Sequence, residues 1–191
     1  MKIYEELPVD WLEGFAGFDK KAMCILAEKY ENGDNVEQNL NKAIELYQRA
    51  ADNNYAIGMY KLGNIYFEGR GVEQNHETAL RLYKRAGARN HVLAMAQVGK
   101  CYHHGYGTEK DDRKAVEWLR NALAVDCSKT SIEIMKLLGD VYADKSSNVF
   151  SEEKAIDCYS KAALQGNEDA KVAWALIEIE NQMDNFIDWE L

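Results

Sequence analysis

The chain has 191 residues, 47% of them hydrophobic, 10% aromatic and 29% charged, with a single proline at Pro8. Such a composition excludes disorder and supplies ample material for a core. With 23 Lys and Arg against 32 Asp and Glu, the net charge of −9 speaks against nucleic acid or a membrane as partner and for a basic protein or peptide.

No apolar stretch approaches the roughly 20 residues that cross a bilayer. The N-terminus, MKIYEELPVDW, is acidic and lacks the apolar segment of a secretory signal. Cys24, Cys101, Cys127 and Cys158 share no recurrent spacing, which fits reduced thiols and a cytoplasmic setting.

In chain order, residues 1–18 are expected to hold a lone capping helix over 6–16. Its Trp11 and Gly14–Phe15 lie 36 residues before Tyr47 and Ala50–Ala51. Two helices are then expected in 19–54, two in 55–90 and two in 91–126, because the same residues return at a step of 36. Tyr30, Tyr66 and Tyr102 are so related, as are Gly33, Gly69 and Gly105. Ala43, Ala79 and Ala115 follow the same step, and so do Ala50, Ala86 and Ala122.

A fourth unit, 131–166, follows at a step of 40 with Gly139, Tyr142, Ala155, Tyr159 and Ala162. The four extra residues belong near VDCSKTS, 125–131. The last segment, 167–191, is expected to hold a capping helix beginning with Ala170, Trp174 and Ala175. Its acidic tail, NFIDWEL, is expected to fold back over that helix.

Within a unit, both halves carry helical periodicity. In the first half of the second unit, Met59, Leu62, Gly63 and Tyr66 share one face. In its second half Ala79, Leu82, Tyr83 and Ala86 do the same. Asn75 is a suitable N-cap, and Lys84 and Arg85 sit where the helix dipole favours cations. The recurring small residues let helix axes approach closely.

The Gly69-Arg70-Gly71 stretch resembles a phosphate loop only superficially. It recurs as Gly105 and Gly107, with Gly33 and Asn35 before it, and no strand precedes it. It reads as a corner between helices whose glycines take positive φ.

The pattern A-x3-LG-x2-Y-x2-G-x-GV-x6-A-x3-Y-x2-AA resembles the Sel-one-like repeat, a relative of the tetratricopeptide repeat. The second unit carries it best, in Gly58, Leu62, Gly63, Tyr66, Gly69, Gly71, Val72, Ala79, Tyr83, Ala86 and Gly87. Three units depart from it. The first has Ala27 at the helix glycine, the third has Thr108 and Leu119 for the valine and tyrosine, and the fourth has Lys145 and Ser147 at the corner glycines. The resemblance implies an all-α fold, a right-handed α-solenoid or superhelix of helix-turn-helix repeats. It also implies a scaffold or adaptor. No G-x-S-x-G element and no Cys–His nucleophile signature occurs, so no enzymatic activity, cofactor or metal is expected.

The related tetratricopeptide proteins hold ligands on the concave face lined by first helices. The resemblance therefore implies a partner-binding set of Tyr60, Asn64, Phe67, Lys100, His103, His104, Lys136 and Asp140. Tyr60 and Phe67 share a helical face with Asn64 between them. They suit apolar anchors of a bound peptide, or packing against neighbouring first helices.

The Cys-Tyr-His-His run at 101–104 contains zinc-ligand residue types. No second ligand pair at suitable spacing accompanies it, so it reads as a solvated loop end. Asp111–Asp112 and Glu152–Glu153 read as first-turn charges rather than acid–base pairs. The favoured function is a non-enzymatic interaction scaffold. The alternative is an immunity protein whose acidity steers it to a basic toxin.

Overall fold

The computed structural model describes residue 4, residues 7–125 and residues 130–187, with side chains described through residue 181. Those residues form ten helices and no strand. They are α1 (Val9–Phe15), α2 (Lys20–Asn32), α3 (Leu40–Asp52), α4 (Ala56–Glu68) and α5 (His76–Gly87). Then come α6 (Val92–His104), α7 (Asp112–Val125), α8 (Thr130–Ala143), α9 (Glu152–Leu164) and α10 (Glu168–Ile187). The result is an all-α solenoid of helical repeats.

Two compact units divide the chain, one from residues 1–97 with 106–108, the other from residues 98–105 with 109–191. In the first, α1 packs on α2, α2 on α3, α3 on α4 and α4 on α5. In the second, α7 packs on α8, α8 on α9 and α9 on α10.

The recurring alanines form the packing surface. Ala43, Ala79, Ala115 and Ala155, with Ala50, Ala86, Ala122 and Ala162, are all fully buried. A larger side chain at any of them would force neighbouring helices apart. The helix glycine has an equally local cause. A Cβ on Gly63 would lie 2.6 Å from Cε1 of Tyr83, and one on Gly139 would lie 2.6 Å from Cε1 of Tyr159. Glycine there lets the second-helix ring lie against the first-helix backbone.

Each repeat closes with one bond. The backbone N–H of Asn39, Asn75, Asp111 and Ser151 donates to the carbonyl of Tyr30, Tyr66, Tyr102 and Tyr142, at 2.8, 2.8, 2.8 and 2.9 Å. Those four residues also cap the second helix by accepting from the backbone N–H of Lys42, Thr78, Lys114 and Lys154. The expected cap at Asn75 is therefore one of a set.

The corner between the two helices takes two forms. Gly69 and Gly71 have φ of 72° and 70°, in the left-handed region open to glycine. In the fourth repeat, Lys145 and Ser147 are not among the positive-φ residues. Asp144 builds that turn by accepting from the backbone N–H of Ser146 at 2.8 Å and from its hydroxyl at 2.6 Å. Asn54 and Asn90, at φ 59° each, mark a second recurring left-handed position between repeats, one the motif does not contain.

Two expectations at the ends change. Step-36 register places Trp11 in the buried tyrosine position, yet Trp11 is 63% exposed and Leu12 is fully buried. Arg49 donates to the Ala16 carbonyl as Arg85 donates to that of Ala51, so α1 follows a step of 35. At the other end, α10 runs on through Ile187, so residues 185–187 of the tail extend the helix and do not fold back. Residues 188–191, and segment 126–129 where the insertion was expected, lie outside the described residues.

Candidate functional site

The face in question is the side of each first helix that points away from its own buried stripe. In the first compact unit, on the second repeat, it carries Tyr60, Asn64 and Phe67 of α4, all partly exposed. The Tyr60 ring stacks on that of His91 at 4.7 Å between centroids. The Tyr83 hydroxyl donates to Asn64 Oδ1 at 2.8 Å. Phe67 meets His76 at 4.8 Å and Tyr106, edge on, at 5.4 Å.

The three predicted residues are thus brought together, and each is also held by an internal partner. The strip is a rigid aromatic surface with one amide at its centre. Burial lowers the His91 pKa from 6.5, which keeps the ring neutral against Tyr60 at physiological pH.

The tyrosine-to-first-helix bond is a repeated device. Tyr47 donates to Glu31 Oε2 at 2.7 Å, and Tyr159 donates to Asp140 Oδ1 at 2.9 Å. In the first repeat the acceptor lies one turn further along than Asn64. That shift accompanies Ala27 in place of the helix glycine. Glu31 is also paired to Arg70. Burial opposes its ionisation, but the Tyr47 hydroxyl and the Arg70 guanidinium outweigh it and hold the carboxyl below its usual range.

In the second compact unit, on the third and fourth repeats, the predicted residues separate in role. Lys136 pairs with Asp140 at 2.9 Å along one turn of α8, and Lys100 is partly exposed. His103 lies in the last turn of α6 and is 8% exposed, so it is neither a loop residue nor available to a partner. Its Nδ1 lies 2.6 Å from Asp112 Oδ1, and Asp112 is itself buried. Asp111 caps α7 as expected of a first-turn charge, whereas Asp112 serves the buried pair. His104 is exposed beside it. Its pKa falls below 6.5, mainly through desolvation of the ring, with His103, Lys100 and Lys110 adding to the effect.

The zinc-type run does gain companions that spacing could not show. His103, Asp112 and Asp144 bring one ligand atom each to within 4.8 Å of one another. The ammonium of Lys110 lies 2.6 Å from Asp144 Oδ2 and 3.5 Å from Asp112 Oδ2. The chain supplies its own cation there. The Asp144 carboxyl is held well below its usual range by Lys110 and by Ser146.

Burial pushes the Cys24 thiol up to about 12 and the Cys158 thiol up to about 11. Neither has the lowered pKa of a nucleophile.

Comparison with known proteins agrees with this architecture. The Sel1 repeat model matches residues 20–55, 56–91, 92–124 and 138–167. A Sel1 repeat protein from Oxalobacter formigenes is 27% identical, with a TM-score of 0.72, over 85% of this chain and 65% of that one. The c5321 protein of uropathogenic Escherichia coli, a protective antigen with the same repeat fold, is 30% identical with a TM-score of 0.78. That match covers 86% of this chain and 35% of the larger protein. This chain thus spans less than two thirds of the length of either relative. No curated protein matches significantly. Four matched repeats, each closed by the same backbone bond and packed on the same alanines, make this chain a member of the Sel1 repeat family.

Proposed function

We propose that this protein is a non-enzymatic interaction scaffold that holds a peptide or protein against its first-helix face, the concave face of such solenoids. Sel1 repeat proteins are generally protein-interaction scaffolds, and the fold is typically non-catalytic. The observation that carries the finer reading is the Tyr60–Asn64–Phe67 strip. It pairs partly exposed aromatic surface with an amide, and its rings are already fixed by His91, His76, Tyr83 and Tyr106.

A partner meeting this strip pays little for ordering it, because the side chains lose no further rotamer freedom. Burying aromatic rings supplies the affinity, and the amide pairs a peptide backbone. The net charge of −9 raises the encounter rate with a basic partner and lowers it for acidic ones. The same charge is what the toxin-neutralising alternative would use. A reducing, cytoplasmic setting completes the proposal, consistent with buried thiols at Cys24, Cys101 and Cys158.

Affinity capture from native lysate tests the reading, with wild type beside a Tyr60→Ala/Phe67→Ala variant. A partner retained by wild type and lost from the variant is expected. Equal retention would remove the strip from the interface, and no retained partner at all would count against a scaffold.

A further inference from the structure

Among the described residues, helix α10 carries an apolar stripe that faces water. The Asn167 N–H donates to the Ala162 carbonyl at 3.1 Å, as the Tyr55 N–H donates to that of Ala50 at 3.0 Å ahead of α4 and the His91 N–H to that of Ala86 at 3.3 Å ahead of α6. This fixes α10 as a first-type helix and carries Tyr60, Asn64 and Phe67 onto Val172, Leu176 and Ile179. In α4 those positions are covered by His91, Tyr83, His76 and Tyr106. In α10 they are exposed by 58, 57 and 52%.

Spacings of four and three put the three side chains on one stripe, opposite the face where Ala170 is fully buried. The stripe is all aliphatic, and its borders are acidic. Between residues 168 and 181 the helix carries Glu168, Asp169, Glu178 and Glu180 against Lys171. Lys171 pairs with Glu168, and Lys145 with Glu180. Among the described residues, no cation lies within ion-pair reach of Asp169 or Glu178.

We infer that this stripe is a docking seam for an amphipathic helix of another protein, with aliphatic residues at helical spacing and Lys or Arg on its flanks. The seam lies on α10 alone, and its proposed role stands independently of the α4 strip. Two α10 helices laid together would bring like charges into contact, and the same acidity opposes an anionic membrane surface. A basic, apolar-seamed helix satisfies both the stripe and the two uncompensated carboxylates.

The test uses the full chain and a fluorescein-labelled Leu/Lys peptide with leucines at helical spacing, read by anisotropy. A scrambled peptide of the same composition is the control. Leu176→Ser/Ile179→Ser leaves the charge unchanged and touches only exposed residues, so its circular dichroism should match wild type. The inference predicts that wild type prefers the amphipathic peptide to the scrambled one. It also predicts that the double serine variant loses at least about tenfold in affinity, while Tyr60→Ala/Phe67→Ala binds as wild type does. Equal binding by the serine variant overturns it, as does equal binding of the scrambled peptide. Light scattering that shows a dimer abolished by the serine changes also overturns it, and assigns the seam to a second copy. Sedimentation with neutral vesicles lost on the same changes overturns it in favour of lipid.

Discussion

The second and fourth repeats reach the same result through different corners. In the second, Gly69 and Gly71 turn the chain through left-handed conformations. In the fourth, the Asp144 carboxylate organises the turn through Ser146. Both deliver the backbone N–H of the next helix's cap to the first-helix tyrosine carbonyl. Both also keep two alanines fully buried and a glycine beneath the second-helix tyrosine. The fold therefore depends on the closing bond and on close helix approach, and it tolerates more than one way of turning between helices.

The largest effect should come from adding a side chain where a corner touches backbone. Gly107 has φ 67°, and a Cβ there would lie 2.4 Å from the His76 carbonyl carbon. Gly107→Ala should cost about 3 kcal/mol in urea unfolding, from backbone strain plus a clash that backbone cannot relieve. Ser147→Gly, at an equivalent corner position in the fourth repeat, should change the midpoint little. Comparable losses from both would show that the two corners are not of different kinds.

Gly63→Ala should come next, at about 1–3 kcal/mol. It forces the Tyr83 ring away and breaks its bond to Asn64. The first repeat tempers the expectation, because Ala27 coexists there with a tyrosine bonded one turn along, at Glu31. A Tyr83→Phe change made on top of Gly63→Ala should then cost almost nothing further.

Cap removal should be smaller. Asn75→Ala is expected to lose about 1 kcal/mol. Ser151→Ala should lose less, since its cap bond is 3.4 Å against 2.8 Å at Asn75. The smallest and most conditional effect belongs to Asp144. Its folded pKa is depressed from 3.8, so its contribution is fully present above the unfolded carboxylate range and is lost as pH falls through the folded value. Urea midpoints of wild type and Asp144→Asn should differ at pH 7 and converge as the pH is lowered below about 4. A gap that persists into acid would mean the side chain acts by shape and not by charge.

Much of the fold was legible because a repeat states each packing rule several times. Tyr66 or Ala79 alone means little, but recurrence in register shows that the same contact is being made again. The site was only half legible. Register placed Tyr60, Asn64 and Phe67 on one face, yet nothing in it showed that His91, His76 and Tyr106 would lean against them. His103 seemed solvated beside His104 because its partner, Asp112, arrives from the next helix, across a turn. The seam on α10 could have been found by carrying the register one helix further, onto Val172, Leu176 and Ile179.

By itself, the amino-acid sequence determined the helix pairs, their order, their caps and the small residues that let them touch. These follow from local periodicity and backbone conformation, which short stretches of chain dictate. Only the tertiary structure decided which outward-facing side chains remain open to a partner. Exposure depends on what neighbouring elements lay over each position, as His91, Tyr83, His76 and Tyr106 do over Tyr60, Asn64 and Phe67.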